Sequence, residues 1–366
     1  MEGEKLKYWL GFNNINKMTA RRLKKLLFYF KNDLKKAWEA TTDELILAKI
    51  EEDIATEIVA KRQQINPDEK LDKLNSQEIS VSTIIDDDYP PLLKHIFDSP
   101  PLLYYRGDIL ACRQNPLSVV GARKYTNYGE RTASDLVGQL TQAGLAIISG
   151  LALGIDALAH EACLKNNGLT VGVLGSGVDW PSIYPSANRY LAKKIIDSGG
   201  CLLCEYPLGT MPTKYTFPMR NRIIAGLSLG TLVIEAAESS GALITAKCAL
   251  EYNREVFAVP GSIYNHCSVG TNNLIKQGAK LVLSAADVLE ELKLSQLPEI
   301  HELPRLEPAS IEEEIILKNL GPEPLHIDKL AKLCNIKINV LSSVLMLLEM
   351  KSIIKNTGGQ NYILLK

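Results

Sequence analysis

The chain has 366 residues, which is long enough for two or three domains that each bury a core of their own. Its 46% hydrophobic and 23% charged residues are ordinary for a globular protein. The net charge of −1 excludes a general basic field that would attract nucleic acid over the whole surface, so any anion site must be a local one.

The N-terminal sequence MEGEKLKYWLGF lacks the apolar core and the small-residue cleavage site of a signal peptide. No later stretch has 18 or more uncharged apolar residues, as a membrane span would need. The seven cysteines are an odd number at scattered spacing, which argues against a disulfide framework and is typical of a reducing compartment. We predict a cytoplasmic protein without membrane contact.

Residues 1–78 are predicted to form a helical domain. The run KMTARRLKKLLFYFKNDLKK has the pattern of a basic amphipathic helix capped near Thr19, and TTDELILAKI opens a further helix with a Thr-x-x-Glu-like start. The cationic run favours a solvated helix face, and the alternative is a contact with nucleic acid or a protein partner.

Residues 79–296 alternate short apolar runs with amphipathic helices. After an irregular lead-in rich in Pro and Asp, a short strand is predicted at Leu102–Tyr105. The later candidate strands are LSVVG, LAIISG, TVGVLG, CLLCEY, GTLVIEA, EVFAVPG and AKLVLS. Short apolar strands separated by helices predict an α/β domain with a doubly wound, mostly parallel, Rossmann-like sheet covered on both faces.

Residues 297–308 are rich in proline and charge and are predicted to be a linker. The sequence of residues 309–366 predicts three helices followed by a Gly-Gly turn between two short strands. This arrangement is the winged-helix form of helix-turn-helix. The presumed recognition helix NVLSSVLMLLEM has no Lys or Arg, so we expect it to contact protein or to pack rather than to read DNA.

In doubly wound sheets ligands bind beyond the carboxyl ends of the strands, so the strand-to-helix turns are the places to search. The turn VVGARKYTNYG puts Arg123 and Lys124 before a predicted helix start, where free backbone N–H groups collect. The alternative is an ordinary Rossmann-like turn with solvated cations.

The turn ISGLALGIDALAH has two glycines, Gly150 and Gly154, that allow close approach of the backbone to a ligand. Asp156 is expected to cap the following helix, and His160, which has no second metal-type ligand at helical spacing, is expected to be structural. The turn VGVLGSGVDWPSIYPSANRYL resembles a dinucleotide motif only loosely, because its glycines do not fit G-x-G-x-x-G, although a backbone nest for another phosphate stays open.

The segment CEYPLGTMPTKYTFPMRNRIIAGLS has the densest set of polar donors. Lys214, Arg220 and Arg222 lie within nine residues, with Tyr215 and Phe217 among them. Cations interleaved with aromatic rings suit a single-stranded nucleic acid, because charges contact phosphates and rings stack on bases. The alternative is that the arginines pair with acids such as Glu205, Glu235 or Glu238 and that the aromatic rings fill the core.

The sequence motifs of several enzyme classes are absent from this chain. There is no G-x-x-x-x-G-K-[ST] for ATP hydrolysis, no G-x-S-x-G and no H-E-x-x-H. Cys201 and Cys204 form a C-x-x-C inside a predicted strand, where two buried thiols are favoured over redox chemistry. We therefore expect no catalytic residue, no metal and no cofactor.

The runs YPPLLKHIFDSPPLLYYRGD, VVGARKYTNYGERTASDL, TFPMRNRIIAGLS and LVIEAAESSGALITAKCALEYNREVFAVPGSI resemble the DNA-processing protein A (DprA, or Smf) family over roughly residues 89–292. The resemblance implies an extended Rossmann-like domain between an N-terminal SAM-like helical domain and a C-terminal winged helix. It also implies a non-catalytic homodimer that binds single-stranded DNA in a basic pocket. Such proteins help to load the RecA recombinase during natural transformation.

Carried over by motif, the resemblance implies pocket residues from all four of these segments. Backbone amides near phosphates would come from Gly150, Gly154, Gly175 and Ser176. The side chains implied are Arg123, Lys214, Phe217, Arg220, Asn221 and Arg222, and Lys124, from the pattern of the first turn, completes the predicted DNA-binding set.

The chain departs from the family pattern at Ala122, where a serine hydroxyl is usual, and in NNINKMTARR, which lacks the glycines of a helix-hairpin-helix. We therefore assign no DNA site to the N-terminal domain. A rival hypothesis is a nucleotide phosphoribohydrolase of the lysine-decarboxylase-like group. The corresponding segment GLSLGTLVIEA keeps Gly230, Thr231 and the neighbourhood of Glu235 but lacks that group's Pro-Gly-Gly.

Overall fold

The structure is a computed structural model that describes residues 3–15, 17–294, 310–321, 323–350 and 353–364. These residues fall into two compact units, one before residue 295 and one after residue 309. The predicted linker, residues 297–308, lies outside the described residues. In the described part of the chain no single helix is long and apolar enough to cross a membrane. One bent pair, Ile327–Cys334 with Ile338–Glu349, meets the length and composition test at an angle of 107°.

The first unit begins with helices, as the sequence predicts. Their bounds are α1 (Gly3–Asn13), α2 (Ala20–Tyr29), α3 (Leu34–Glu39), α4 (Thr42–Leu47), α5 (Glu52–Arg62) and α6 (Pro67–Asn75). The Thr19 side chain accepts a hydrogen bond from the N–H of Arg22, and Thr41 and Glu44 form a reciprocal capping box.

The basic run forms two helices rather than the single helix predicted. Residues Lys31 and Asn32 have positive φ values of 52° and 64°, which end α2, and the Asp33 side chain caps α3. In α2 the Arg22 guanidinium contacts Glu51 at 3.0 Å and Lys25 donates to the Lys49 carbonyl. Part of this basic face is therefore paired within the helical region.

Among the described residues of this unit, nine strands form one sheet, with the spatial order β1-β2-β6-β5-β4-β3-β7-β8-β9. Strands β3 to β9 run parallel to one another, whereas β2 pairs antiparallel with β6 and β1 pairs antiparallel with β2 at one edge. The bounds are β1 (Ser80–Thr83), β2 (Leu102–Gly107), β3 (Leu117–Val120), β4 (Ile147–Ser149), β5 (Thr170–Val173), β6 (Cys201–Cys204), β7 (Gly230–Val233), β8 (Glu255–Ala258) and β9 (Lys280–Leu281). The predicted doubly wound, mostly parallel α/β sheet is confirmed, and β1 is an addition within the lead-in that the sequence analysis left irregular.

Helices cover both faces of this sheet. Their bounds are α7 (Pro91–Lys94), α8 (Asn127–Gln142), α9 (Ile155–Lys165), α10 (Arg189–Asp197), α11 (Thr216–Gly226), α12 (Ala242–Glu251), α13 (Val269–Lys276) and α14 (Ala285–Glu291). One core cluster joins α8, α9 and α14 to the sheet through residues such as Val137 and Phe257, and another joins α7, α11 and α12 through Leu93 and Ile223. Cys201 and Cys204 are buried free thiols.

The sheet has a topological switch point between β3 and β7. The chain adds β4, β5 and β6 on one side of β3, and then returns through α11 to place β7 on the other side. Residues Val119 and Leu232 are paired across this junction. The helices that follow β3 and β7 therefore lie on opposite faces, and a crevice opens above the carboxyl ends of these two strands.

His160 of α9 is fully buried, as expected of a structural histidine. Its Nδ1 lies 2.7 Å from the Thr170 hydroxyl oxygen, and since that hydroxyl donates to the Ile147 carbonyl, Nδ1–H must be the donor. Nε2 is buried without a partner among the described residues. Burial, aided by the Arg220 charge, lowers the pKa of His160 to about 3, so the ring is neutral in the fold.

This burial predicts a pH-dependent stability. Between the unfolded pKa near 6.5 and the folded value, only the unfolded chain binds the proton, so the fold loses about 1.4 kcal/mol per pH unit as the pH falls. From pH 7 to pH 5 we expect His160 to lower the free energy of unfolding by about 2 kcal/mol. Urea unfolding of the wild type and of His160→Leu at both pH values measures this. Equal pH slopes for the two proteins would contradict it.

The second unit has the predicted winged-helix arrangement. Its elements are α15 (Ile311–Asn319), β10 (Leu325–His326), α16 (Ile327–Cys334), α17 (Ile338–Met350), β11 (Ile354–Gly358) and β12 (Asn361–Leu364). The strands pair antiparallel in the order β10-β12-β11, and Gly358 and Gly359 form the turn with φ values of +99° and +59°. The short strand β10 is an addition to the prediction. Helix α17 buries Leu341 and Leu345 and leaves Met346 exposed.

Candidate nucleic-acid interface

A cavity of about 920 Å³ opens at the switch point. Its walls are the turn after β3 (residues 120–124), residues in the range 212–224 in and before α11, and residues in the range 237–245 that lead into α12. These segments are far apart in the chain and meet because β3 and β7 are adjacent parallel strands. The cavity therefore lies where doubly wound sheets bind their ligands.

The cavity is positively charged. Its lining includes the three exposed cations Arg123, Lys124 and Lys214 and the buried Arg220. Asp156 is the one carboxylate among the described lining residues, and it is itself buried. Although the whole chain is nearly neutral, this concave surface concentrates positive charge, which focuses the field on an anionic ligand.

An aromatic platform lies beside these cations, formed by Phe217 and Tyr184. The two ring centroids are 5.8 Å apart, and the Arg123 guanidinium carbon lies 5.4 Å from the centroid of Phe217. Phe217 is half-buried and Tyr184 is exposed, so ring surface faces the cavity. Aromatic rings next to a guanidinium provide stacking for a base and a positive charge for its phosphate.

Arg220 is part of the cavity wall and is only 3% exposed. Its Nη1 donates to the carbonyls of Gly150 (2.6 Å) and Val173, at the ends of two neighbouring strands. Burial lowers the pKa of Arg220 to about 10, opposed by the Asp156 charge, so the guanidinium is protonated at neutral pH. The side chain therefore joins the strands beneath the cavity and contributes its positive charge.

Asn221 links two walls of the cavity. Its amide nitrogen donates to the Gly241 carbonyl at 3.1 Å, and its amide oxygen accepts from Nε of Arg220 at 3.3 Å. These bonds hold α11 against the segment that precedes α12. The predicted residue thus lines the cavity, and it also positions the chain around it.

Arg222 is not brought to the cavity. It is 8% exposed, forms an ion pair with Glu205, and donates from Nη1 to the Asp98 carbonyl at 2.7 Å. The Asp98 carboxylate lies 3.7 Å from Nε. The alternative that an arginine of this segment pairs with Glu205 therefore describes Arg222, whereas Arg123, Lys124, Lys214, Phe217, Arg220 and Asn221 share the cavity.

Gly150 and Gly154, whose backbone amides were predicted to lie near phosphates, have structural roles in the fold. The Gly150 N–H donates to Asp156 at 3.2 Å, and a Cβ there would lie 2.7 Å from Arg220 Nη2. Gly154 has φ +87°, and a Cβ would come within 2.3 Å of the Ala122 carbonyl oxygen. These two glycines make room for the cavity wall, and phosphate binding by their amides stays a prediction.

Gly175 and Ser176 are buried and do not line the cavity. A Cβ at Gly175 would lie 3.0 Å from the Phe217 ring, so this glycine makes room for the platform.

The prediction that Asp156 caps α9 is wrong. The N-cap of α9 is Gly154, without a side-chain hydrogen bond, and the Asp156 carboxylate instead accepts from the Gly150 N–H. Burial raises the pKa of Asp156.

The sequence analysis missed one wall of the cavity. Ser239, Ser240 and Gly241 lie before α12, and Tyr184 and His266 complete the rim. The first three follow the carboxyl end of β7, so the strand-end rule that selected the other turns would have selected this one. Tyr184 lies in the searched turn after β5 and His266 in the loop after β8, but both are many residues beyond the end of the strand, so the strand-end rule does not single them out.

A family model described as DNA recombination-mediator protein A matches residues 80–293, and a model of the DprA winged helix domain matches residues 302–360. Protein Smf of Escherichia coli is 41% identical over 277 residues, which are 74% of this chain and 74% of that protein. DNA processing protein DprA of Bacillus subtilis is 44% identical over 217 residues, 59% of this chain and 72% of that protein.

Two solved structures share the fold at more than 25% identity. DNA processing protein A from Streptococcus pneumoniae has a TM-score of 0.69 at 36% identity and covers 78% of this chain and 97% of its own. The protein of the same name from Helicobacter pylori, solved in a study of its single-stranded DNA binding mode, has a TM-score of 0.53 at 28% identity and covers 60% of this chain and 97% of its own. With these matches across the sheet domain and the winged helix, the chain belongs to the DNA recombination-mediator protein A family, DprA/Smf.

Proposed function

We propose that this protein binds single-stranded DNA in the switch-point cavity without bond chemistry and presents it to a recombinase of the RecA type. The observation that carries the proposal is the Arg123 guanidinium 5.4 Å from the ring centroid of Phe217, with Tyr184 beside it, in a cavity lined by four cations. Membership of a recombination-mediator family and the single-stranded DNA binding of the Helicobacter relative support it.

The geometry favours a single strand over a duplex. Phosphates can displace counterions at Arg123, Lys124 and Lys214, while unpaired bases stack on the aromatic platform. Bases in a duplex are already stacked on one another and cannot reach a ring within a concave wall. Stacking tolerates any base, since every base has an aromatic face, so we expect little sequence preference.

The described cavity residues favour binding over hydrolysis. Glu235, the glutamate of the segment compared with the phosphoribohydrolase signature, does not line the cavity: it is 1% exposed, and its two oxygens accept from the Thr126 N–H and hydroxyl at 3.0 and 2.6 Å. Cys267 and His266 line the cavity, but burial raises the pKa of the Cys267 thiol, opposite to what an activated nucleophile needs. Release of free base from nucleoside monophosphates incubated with the protein would instead support the phosphoribohydrolase hypothesis.

The hand-over to a recombinase and the homodimer are parts of the same proposal. The description of the matched family as a recombination mediator supports the hand-over, and the homodimer is what the family resemblance of the sequence implies. A dimer would hold two strands at once, or two parts of one strand, with their free portions open to a recombinase filament. Sedimentation of the protein with and without a saturating single strand measures the assembly directly.

A salt titration tests the binding site. We expect a plot of the logarithm of the binding constant for an oligo-dT strand against the logarithm of the salt concentration to have a slope of about −2 to −3. Each phosphate neutralised on a single strand contributes about −0.7 to this slope, and the three exposed cations and Arg220 provide up to four such contacts. The matched duplex should bind more weakly at every salt concentration. Fluorescence anisotropy of end-labelled DNA measures both, and equal, salt-insensitive affinity for strand and duplex would overturn the proposal.

A further inference from the structure

Exposed aromatic side chains recur along the chain from residue 180 to residue 190. Trp180 lies against the Arg106 guanidinium at 5.4 Å from the ring centroid, Tyr184 belongs to the cavity platform, and Tyr190 lies beside the Lys194 ammonium at 4.7 Å. Tyr190 is 71% exposed, although large aromatic residues are usually at least partly covered. Tyr190 is in the first turn of α10 and does not line the cavity, so the series extends beyond the cavity wall.

A second groove, of about 490 Å³, lies between α9 and α10 where this series ends. It is lined by Tyr190, Leu191, Lys194 and Ser198 of α10 and its C-cap, and by Glu161, Leu164 and Lys165 of α9. Its two ammonium groups outnumber its one carboxylate. Among the described residues neither Lys165 nor Lys194 forms an ion pair, so both charges are available to a ligand.

The groove thus repeats, on a smaller scale, the composition of the cavity: an accessible ring, a cationic side chain against that ring and a further cation nearby. Tyr184 and Tyr190 are six residues apart, so their Cα atoms are separated by at most about 21 Å. A DNA strand a few nucleotides longer than the cavity needs would reach the second ring. A structural role explains Lys194 poorly, because its ammonium approaches an exposed ring rather than an acid.

We propose that the α9–α10 groove is a second contact for the same single strand, which leaves the cavity past Tyr184, stacks a base on Tyr190 and places phosphates at Lys165 and Lys194. This inference rests on the proposed function of the cavity. It makes affinity depend on strand length, since a short strand fills only the cavity and a longer strand also reaches the groove.

The test compares oligo-dT strands of about 5 and about 20 nucleotides, within and beyond the site sizes of single-strand-binding modules. The proteins are the wild type, Tyr190→Ala, Lys194→Gln and the control Lys193→Gln, which removes an exposed charge from the same helix outside the groove. We expect Tyr190→Ala to weaken binding of the long strand at least about fivefold, the lower limit for loss of one base–aromatic stack, and to leave the short strand unchanged. Lys194→Gln should act in the same direction, and Lys193→Gln should change either affinity less than about twofold.

The outcomes separate the groove from the cavity. Wild-type affinity of Tyr190→Ala for the long strand overturns the groove while leaving the cavity proposal intact, provided that the wild type binds both strands. Equal losses on both strands, or an equal effect of Lys193→Gln and Lys194→Gln, also overturn it, because they indicate a change in the cavity or in general charge. A wild type that binds neither strand overturns both proposals. All three side chains are exposed, so thermal unfolding should show unchanged stability.

Discussion

Replacing Arg222 by alanine is expected to lower the free energy of unfolding by about 3–5 kcal/mol, the usual cost of removing one partner of a buried ion pair. The guanidinium is the ion-pair partner of Glu205 and donates to the Asp98 carbonyl, and one carboxylate oxygen of Glu205 is buried without another partner among the described residues. Chemical unfolding measures the loss. Affinity of the folded variant for a single strand should stay within about twofold of the wild type, because Arg222 does not line the cavity.

The pH dependence of this variant provides its control. Burial raises the pKa of Glu205 and the Arg222 charge lowers it, so removing Arg222 raises the pKa further. A Glu205 carboxyl with a raised pKa in the folded variant binds a proton as the pH falls, and this protonation stabilises the fold. The loss of unfolding free energy caused by Arg222→Ala should therefore be smaller at pH 5 than at pH 8. The double variant Arg222→Ala/Glu205→Ala should lose less than the sum of the single losses. A loss below about 1 kcal/mol would instead indicate a solvated surface pair.

Replacing Phe217 by alanine is expected to weaken single-strand binding by about 1–3 kcal/mol, or about 5- to 150-fold, because the cavity loses its principal stacking surface. The Arg123 guanidinium would also lose the ring that it lies against. Fluorescence anisotropy with an oligo-dT strand measures the change. Phe217→Leu keeps an apolar side chain against Gly175 and so separates the loss of stacking from the loss of packing.

Tyr215 is the matched control for this variant. It lies two residues away, is 70% exposed, contacts Lys214 through its ring and does not line the cavity. Tyr215→Ala should therefore bind with nearly the affinity of the wild type. Equal losses in the Phe217 and Tyr215 variants would show that the strand runs over the outer surface of the segment instead of into the cavity.

Arg220 and Arg222, which flank Asn221, show where sequence reasoning stops. Both lie in one helix, α11, which begins at Thr216. Residues two positions apart on a helix point about 200° away from each other, so Arg220 and Arg222 cannot face one ligand. The sequence analysis placed both in the pocket. Separating them depends on the start of the helix, and a helix boundary is weakly encoded by local sequence.

The glycines illustrate the same limit. Gly150 and Gly154 follow a strand end, which suggested backbone amides facing a ligand. In the fold Gly150 is needed because Asp156 and Arg220 approach its α-carbon, and Gly154 is needed because the Ala122 carbonyl does. A close approach by another part of the chain and an approach by a ligand require the same residue type, so the sequence alone cannot distinguish them.

The order and type of the main elements could be predicted from the sequence, because short apolar strands, amphipathic helices and caps are local patterns. The sequence also placed Arg123, Lys124, Lys214 and Phe217 in or next to segments that connect a strand to the following helix, which is where doubly wound sheets bind ligands. The fold of the whole unit makes β3 and β7 neighbours and brings residues 237–241 into the third wall. It also turned Arg222 toward Glu205 and brought α9 beside α10. Those outcomes depend on contacts between residues far apart in the chain, which no local pattern encodes.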